Sequence, residues 1–236
     1  MDIALIGYGK MGKAIERICL QRGHRVVLRI SSSNREELAN LSQADVAIEF
    51  TNPEAAYENV MTAIRAGVPV VCGSTGWNER LQEARQYCEK EGGALLQASN
   101  FSVGVNLFFE LNSRLAKLMN AYPEYQVSME EIHHLQKKDA PSGTAITIAE
   151  GILSGLERKN TWTITEPATD TELPIHVVRT DEVPGTHLVK YSSAIDDIEL
   201  VHTAHNRDGF AVGAVLAAEF LKGRKGVFNM RDVLGI

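Results

Sequence analysis

Residues 3–12 read Ile3-Ala4-Leu5-Ile6-Gly7-Tyr8-Gly9-Lys10-Met11-Gly12, and this stretch decides the fold. Residues 3–6 are wholly apolar, as in a strand buried on both faces. The next six residues set glycines in a G-x-G-x-x-G spacing. Residues 13–21 carry Ala14, Ile15, Ile18 and Cys19 on one helical face, Gly23 closes the helix, and residues 25–30 form a second strand. The glycine spacing alone is a weak signal. Set between strand and helix in a unit of about thirty residues, it points to a dinucleotide-binding turn. Gly7 would make the tight turn, Gly9 admit a pyrophosphate, and Gly12 let helix and strand pack closely. A glycine-bearing turn without a ligand is the plainer alternative.

The end of the second strand bears on the cofactor. An NAD enzyme commonly places Asp or Glu about 20 residues on, against the ribose 2′-hydroxyl. Here Leu28-Arg29-Ile30-Ser31-Ser32-Ser33-Asn34-Arg35 contains no acid before Glu36. Arg29, Arg35 and the serines suit a 2′-phosphate, so NADPH is expected to be preferred over NADH. Otherwise the two arginines are simply solvated.

Strands at 45–50, 68–72 and 94–98 alternate with helices at 54–66 and 78–91, which is a Rossmann-type, doubly wound parallel sheet of α/β class. Ligands lie at the carboxyl ends of such strands. Phe50 and Thr51, then Gly73, Ser74 and Thr75, then Ala98, Ser99, Asn100 and Phe101 fall there. Beyond residue 103 the pattern changes. A long helix (105–119) and strands at 125–132, 162–164, 175–179, 187–192 and 198–205 predict a second α+β domain with a mostly antiparallel sheet. A final helix at 208–221 returns to the first domain. The expected division is 1–102 with 207–236 for the dinucleotide, and 103–206 for the substrate and for oligomerisation. Two crossings between domains would permit hinge closure.

Within the second domain, residues 131–145 read Glu-Ile-His-His-Leu-Gln-Lys-Lys-Asp-Ala-Pro-Ser-Gly-Thr-Ala. A Pro-Ser-Gly-Thr turn opens a helix there, offering free N–H groups and the positive dipole end to an anion. Ser142 and Thr144 add hydroxyls, and Gly143 allows close approach. His133, His134, Lys137 and Lys138 lie within reach, so the segment reads as a grip on carboxylate beside a proton source. Taken singly, Ser142 could be only an N-cap and the lysines only a solvated face.

The chain of 236 residues has a formal net charge of −6 and no basic run, which argues against nucleic-acid partners. Cys19, Cys72 and Cys88 lack metal-ligand spacing, so no metal is expected, and they read as reduced, cytoplasmic thiols. The start shows no signal-peptide pattern and no segment is long enough to span a membrane.

Gly-Tyr-Gly-Lys-Met-Gly, Glu-Phe-Thr-Asn-Pro-Glu, Gly-Ser-Thr-Gly, Ser-Asn-Phe-Ser-Val-Gly-Val-Asn and His-His-Leu-Gln-Lys-Lys-Asp-Ala-Pro-Ser-Gly-Thr-Ala occur in that order. Arg-Asp-Gly-Phe-Ala-Val-Gly-Ala and Phe-Asn-Met-Arg-Asp-Val-Leu follow. Over nearly its whole length the chain resembles the 4-hydroxy-tetrahydrodipicolinate (dihydrodipicolinate) reductase family of the diaminopimelate route to lysine. The resemblance implies NAD(P)H-dependent reduction of a small cyclic dicarboxylate in a cytoplasmic homotetramer assembled through the second-domain sheet. It implies His133 as acid/base residue, Lys137 as proton donor, and His134, Ser142, Gly143 and Thr144 as substrate-binding residues. It implies that Gly7, Tyr8, Gly9, Lys10, Met11 and Gly12 hold the pyrophosphate, that Gly73–Thr75 and Ala98–Phe101 place the nicotinamide, and that Arg207 lies near the cofactor. Lys10 and Ser99 depart from the arginine and proline frequent in the family. The rival readings are an aspartate- or homoserine-type dehydrogenase, which does not require the His133 segment, and an NAD(P)H-sensing regulator, which would need no proton donor beside an anion site.

Overall fold

β1 (Asp2–Ile6) is buried from Ile3 onward, with none of its last four residues more than 2% exposed. That requires cover on both faces, and the computed structural model, which describes residues 1–181, 183–206 and 208–236, supplies it. The chain divides into two units, Met1–Val103 with Asp208–Ile236, and Gly104–Arg207.

In the first unit β1 is followed by α1 (Lys10–Gln21), β2 (Arg25–Ile30), a 3₁₀ segment (Arg35–Gln43), β3 (Val46–Glu49), α2 (Pro53–Arg65), β4 (Val70–Cys72), α3 (Asn78–Lys90) and β5 (Ala94–Gln97). After the second unit the chain returns as α6 (Asp208–Leu221), β11 (Gly226–Phe228) and α7 (Met230–Leu234). The six strands are all parallel, in the order β11-β5-β4-β3-β1-β2. Alternation along β1 divides the core. Ala4 and Ile6 face α2 and α3, through residues such as Ala56, Val60 and Ala84. Ile3 and Leu5 face α1 and α6, through Ile15, Ile18, Ala214, Ala218 and Leu221. The expected Rossmann-type arrangement is thus present. One detail differs from the sequence reading: the helix at 208–221 is not the last element, because β11 adds an edge strand beside β5. The β2–β3 connection is a 3₁₀ segment.

In the second unit α4 (Val103–Met119) leads to β6 (Gln126–His134), α5 (Gly143–Leu153), β7 (Thr161–Thr163), β8 (Glu172–Thr180), β9 (Gly185–Ser192) and β10 (Asp197–Ala204). The sheet order is β10-β9-β6-β8-β7. β10–β9 and β9–β6 are antiparallel, whereas β6–β8 and β8–β7 are parallel. The sheet is therefore mixed rather than mostly antiparallel. α5 lies between β6 and β8 in sequence, and a strand that returns through a helical crossover runs parallel to the one it left. One face, bearing Val127, Met129, Leu173, Ile175, Val189 and Tyr191, packs on Phe108, Ala116, Met119, Ile148 and Ile152 of α4 and α5. Inside that packing the Asn112 side-chain amide donates to the Ile148 carbonyl at 2.9 Å.

Gly213 marks the tightest approach in the first unit: a Cβ placed there would lie 1.7 Å from the Phe101 carbonyl oxygen. Backbone cannot yield as a flexible side chain does. Gly213→Ala is therefore expected to cost about 2–3 kcal/mol by overpacking, read as a lower denaturation midpoint at unchanged m-value. A neutral result would show that α6 can slide off the Phe101 loop.

Candidate functional site: a glycine-rich cleft and a buried glutamate–histidine cluster

The turn after β1 is built by exclusion. Gly7 has φ +102°, and a Cβ there would stand 2.0 Å from the Phe50 carbonyl oxygen; one at Gly12 would stand 2.3 Å from that of Gly7. Gly9 instead faces open space, with no heavy atom within 4 Å of a Cβ. Gly7 and Tyr8 N–H both donate to the Ile30 carbonyl, at 2.8 and 3.0 Å. Gly9 caps α1 without any side-chain bond, and the first turn, beginning at Lys10, holds no acid. Its orphan N–H groups and dipole suit a phosphate.

Gly7, Tyr8, Gly9, Ser31, Ser32, Arg35, Phe50, Thr51 and Asn52 line one cleft of about 400 Å³, and no carboxylate is among the described residues that line it. Met11, Phe50, Thr51, Gly73, Ser74 and Thr75 line an adjoining hollow of about 230 Å³. Gly73 is needed there because a Cβ would strike the Phe50 ring at 2.2 Å. The Phe50 and Phe101 rings meet at 5.5 Å, and Asn100 accepts from Ser102 N–H at 2.9 Å. Ala98 and Ser99 form the turn leaving β5, with Ser99 exposed. Arg29 is elsewhere: its guanidinium grips Glu16, which also receives the Tyr8 hydroxyl, so Arg35 is the cleft arginine. Arg207 lies outside the described residues.

Beneath the cleft is a residue the sequence reading passed over. Glu49, wholly buried at the end of β3, accepts from Thr51 N–H at 3.1 Å, from the Thr51 hydroxyl, from Asn59 at 3.4 Å and from the Cys72 thiol at 3.1 Å. Thr51 N–H also donates to Ser74 Oγ at 2.8 Å, joining the loops after β3 and β4. Burial, then the Glu49 charge, pushes the Cys72 thiol well up, so it stays a donor.

In the second unit β6 alternates strictly, which sends Val127, Met129, Glu131 and His133 inward. The two histidines lie on the strand, on opposite faces. Glu131 is wholly buried. Ser142 N–H donates to both its oxygens, at 3.2 and 3.0 Å, and Arg179 donates to Oε1 at 2.9 Å. His133 Nδ1 stands 3.5 Å from Oε2 and His187 Nε2 stands 4.0 Å from it. Strand register brings these side chains together: β6–β9 pairing sets Glu131 opposite His187, and β6–β8 pairing sets His133 opposite Arg179. Burial pushes the Glu131 carboxyl up, but the Ser142 and Arg179 hydrogen bonds outweigh it and hold it below the usual range. Burial lowers His133, with Glu131 opposing and Lys137 and Arg179 reinforcing.

Glu131, His133 and His187 offer ligand atoms within 4.8 Å of one another, a spacing a metal could use. The cation this carboxylate holds here is the Arg179 guanidinium.

Ser142 is the N-cap of α5. Its Oγ accepts from Ala145 N–H at 3.1 Å and lies 3.4 Å from His187 Nε2, so its hydroxyl serves the fold. Gly143, exposed and with open space beside it, and Thr144 form the outward part of that turn. Lys137 Nζ is 2.8 Å from both oxygens of Asp139. Glu131, Arg179 and His187 were missed as site residues. The legible signal was that Glu131 shares the inward parity of His133, whereas strand partners are invisible without register.

The dihydrodipicolinate reductase family profiles match the chain at residues 1–101 for the N-terminus and 104–234 for the C-terminus. A 4-hydroxy-tetrahydrodipicolinate reductase of Christiangramia forsetii is 50% identical over 234 residues, 99% of this chain and 98% of that protein. One from Methanothermobacter thermautotrophicus is 35% identical over 227 residues, 91% and 81% of the two chains. Among solved structures, dipicolinate-bound dihydrodipicolinate reductase from Paenisporosarcina sp. TG-14 aligns with a TM-score of 0.76 at 26% identity, covering 97% of each chain.

The cluster makes folding pH-dependent. Burial, with His133 beside it, takes His187 from its ordinary 6.5 to about 4. Between those values the unfolded chain binds more protons, so stability falls as pH drops through that window and levels off below it. The contribution is roughly 3 kcal/mol. His187→Gln should flatten this fall, seen by comparing denaturation midpoints near neutrality and near pH 4.5 with those of the unsubstituted chain; parallel curves would remove His187 as the cause.

Proposed function

The chain belongs to the dihydrodipicolinate reductase family, and from that premise we propose that it reduces 4-hydroxy-tetrahydrodipicolinate, by way of dihydrodipicolinate, to tetrahydrodipicolinate in the diaminopimelate route to lysine. The observation that carries this reading is the segment from His133 to Thr144, which brings Lys137 within electrostatic reach of the buried His133 and opens α5 at the Ser142 cap. The substrate class is a small dicarboxylate.

The reduced nicotinamide, when bound, supplies hydride. The chain's own groups do the rest. Gly7 to Gly12 fit the pyrophosphate, since Gly9 leaves space where its neighbours leave none. Arg35, Ser31 and Ser32 suit a 2′-phosphate, with no carboxylate among the described lining residues to repel it, and this supports NADPH over NADH. Arg29 has no part in that recognition, being committed to Glu16. Gly143 and Thr144 orient a ring carboxylate at the α5 N-terminus. Lys137 gives the proton that arrives at the ring carbon next to the one reduced. His133, held neutral at pH 7 by its burial, relays protons rather than storing one.

A homotetramer is supported by the uncovered face of the second sheet. Ile132 lies opposite Val178, and Leu188 lies opposite Val201, with Val178 and Val201 exposed. Among the described residues no helix is long and apolar enough to cross a membrane.

The reaction is tested by following reduced-nicotinamide absorbance with substrate formed in situ from pyruvate and aspartate semialdehyde by a dipicolinate synthase. Substrate-dependent oxidation is expected with both cofactors, faster at low concentration with NADPH. Lys137→Ala should lower kcat by about a hundredfold or more, as loss of a general acid does, while Thr144→Ala should mainly raise KM. An unchanged kcat for Lys137→Ala would eliminate Lys137 as donor. Arg35→Ala should raise KM for NADPH about tenfold and leave NADH untouched, the loss of one charge-assisted contact; equal effects on both would remove the 2′-phosphate from the argument.

A further inference from the structure

Glu131 touches none of the surfaces assigned above to substrate or cofactor, yet it is the most connected side chain of the cluster. Its Oε1 is taken by Arg179 Nη2 at 2.9 Å, and Ser142 N–H bridges both oxygens. Oε2, which takes the shorter of the two Ser142 contacts at 3.0 Å, also faces the Nδ1 edge of His133 at 3.5 Å. That Nδ1 is buried and makes no hydrogen bond, and the acceptor it faces is this carboxylate. The other edge of the ring is left clear by a glycine: a Cβ on Gly185 would come within 3.0 Å of His133 Nε2. His187 packs on the ring edge-to-face, centroids 5.1 Å apart, and fixes its plane.

We propose that Glu131 is a positioning residue for proton transfer at His133: its carboxylate holds the imidazole as the tautomer with the proton on Nδ1, which leaves Nε2 as the nitrogen that takes up and releases the transferred proton. The inference rests on the reading of His133 as a proton relay.

The physical case is one of competing charges in a dry site. The groups that face His133 are Glu131 on its own strand, Arg179 on β8, His187 on β9, and Lys137 and Asp139 from the loop after β6. Arg179 and Lys137 oppose a proton on the ring. Asp139 favours one, but its carboxylate is occupied by Lys137 at 2.8 Å. His187 is neutral at pH 7, because burial takes it to about 4, so it adds no charge. Glu131 is thus the group that both favours a protonated ring and points at one particular nitrogen. A carboxylate on Nδ1–H selects the tautomer and steadies the imidazolium when it forms, without itself taking the proton. Because the same carboxylate holds Ser142 N–H, the relay and the carboxylate-binding turn are referenced to one point.

The test combines spectroscopy and kinetics on the full chain. ¹⁵N NMR of the histidine rings, with His133 assigned by its loss in His133→Gln, should show Nδ1 protonated and Nε2 unprotonated at neutral pH in the unsubstituted protein. In Glu131→Gln the tautomer ratio should move toward Nε2–H. The pH limb belonging to His133 should move to lower pH, because the negative charge supporting its protonation is gone. kcat should fall about tenfold to a hundredfold, and this loss should vanish on a His133→Ala background, where the residue through which Glu131 acts is absent. A merely structural glutamate predicts the opposite: an undiminished loss on that background. That result, or Nε2–H in the unsubstituted protein, overturns the proposal. If Glu131→Gln fails to fold, the tautomer of the unsubstituted protein decides alone. Absence of any reductase activity would count against the functional reading, while the tautomer would still be measurable.

Discussion

A carboxylate removed from water stays charged only if donors replace the water. Glu131 meets that condition through the backbone N–H at the start of α5 and the Arg179 guanidinium of β8, and the second unit is arranged around doing so. Its acceptors fix Ser142, which caps α5; α5 in turn sets the turn of Gly143 and Thr144. Its second tether, Arg179, reaches on to the Asp139 carbonyl at 2.7 Å, so the loop carrying Lys137 is fastened from below. One buried charge thereby fixes the strand, the loop and the helix that carry the proposed chemistry.

The first unit solves a similar problem with the same residue type. Glu49 also stands wholly buried at the end of a strand, and also draws in a backbone N–H from the loop that follows, that of Thr51. The difference lies in its company. Glu49 has neutral donors, Thr51, Asn59 and Cys72, whereas Glu131 has a guanidinium and two imidazoles. The first arrangement ties together the loops that line the glycine-rich cleft, and the second surrounds the proposed proton relay. In both, hydrogen bonds to a buried carboxylate tie down the loop that leaves the carboxyl end of a strand.

Much of this was legible in the sequence, for reasons that differ by element. β1 was readable because burial on two faces erases polar residues, α1 and β2 because their apolar residues recur at helical and strand spacing, and the turn because Gly7 and Gly12 leave no room for a side chain. The turn at Ser142 was readable because helix starts are chemically marked. What escaped depends on contacts distant in sequence. β11 is three residues at a sheet edge and owes its conformation to β5. The parallel pairing of β6 with β8 follows from a crossover that local pattern does not reveal. Arg29 looked like a phosphate ligand because a sequence shows its charge but not the Glu16 already holding it. Glu131 was in plain sight at the head of residues 131–145, yet a glutamate next to another glutamate reads as solvated until strand parity turns it inward.

The split of the first unit across the chain has a consequence for biosynthesis. α6 covers the Ile3–Leu5 side of its sheet and β11 completes its edge, yet both follow some hundred residues of intervening domain. During translation the first five strands leave the ribosome with the part of one apolar face that α6 covers still bare, and it stays so while the entire second unit is made. Domains form as their segments emerge, so the inserted unit, contiguous in sequence, can close first and the segment encoded first must close last. The interval between is set by elongation rate rather than by intrinsic folding speed, and in that interval a nascent chain of this design has most need of a chaperone to cover the uncapped sheet.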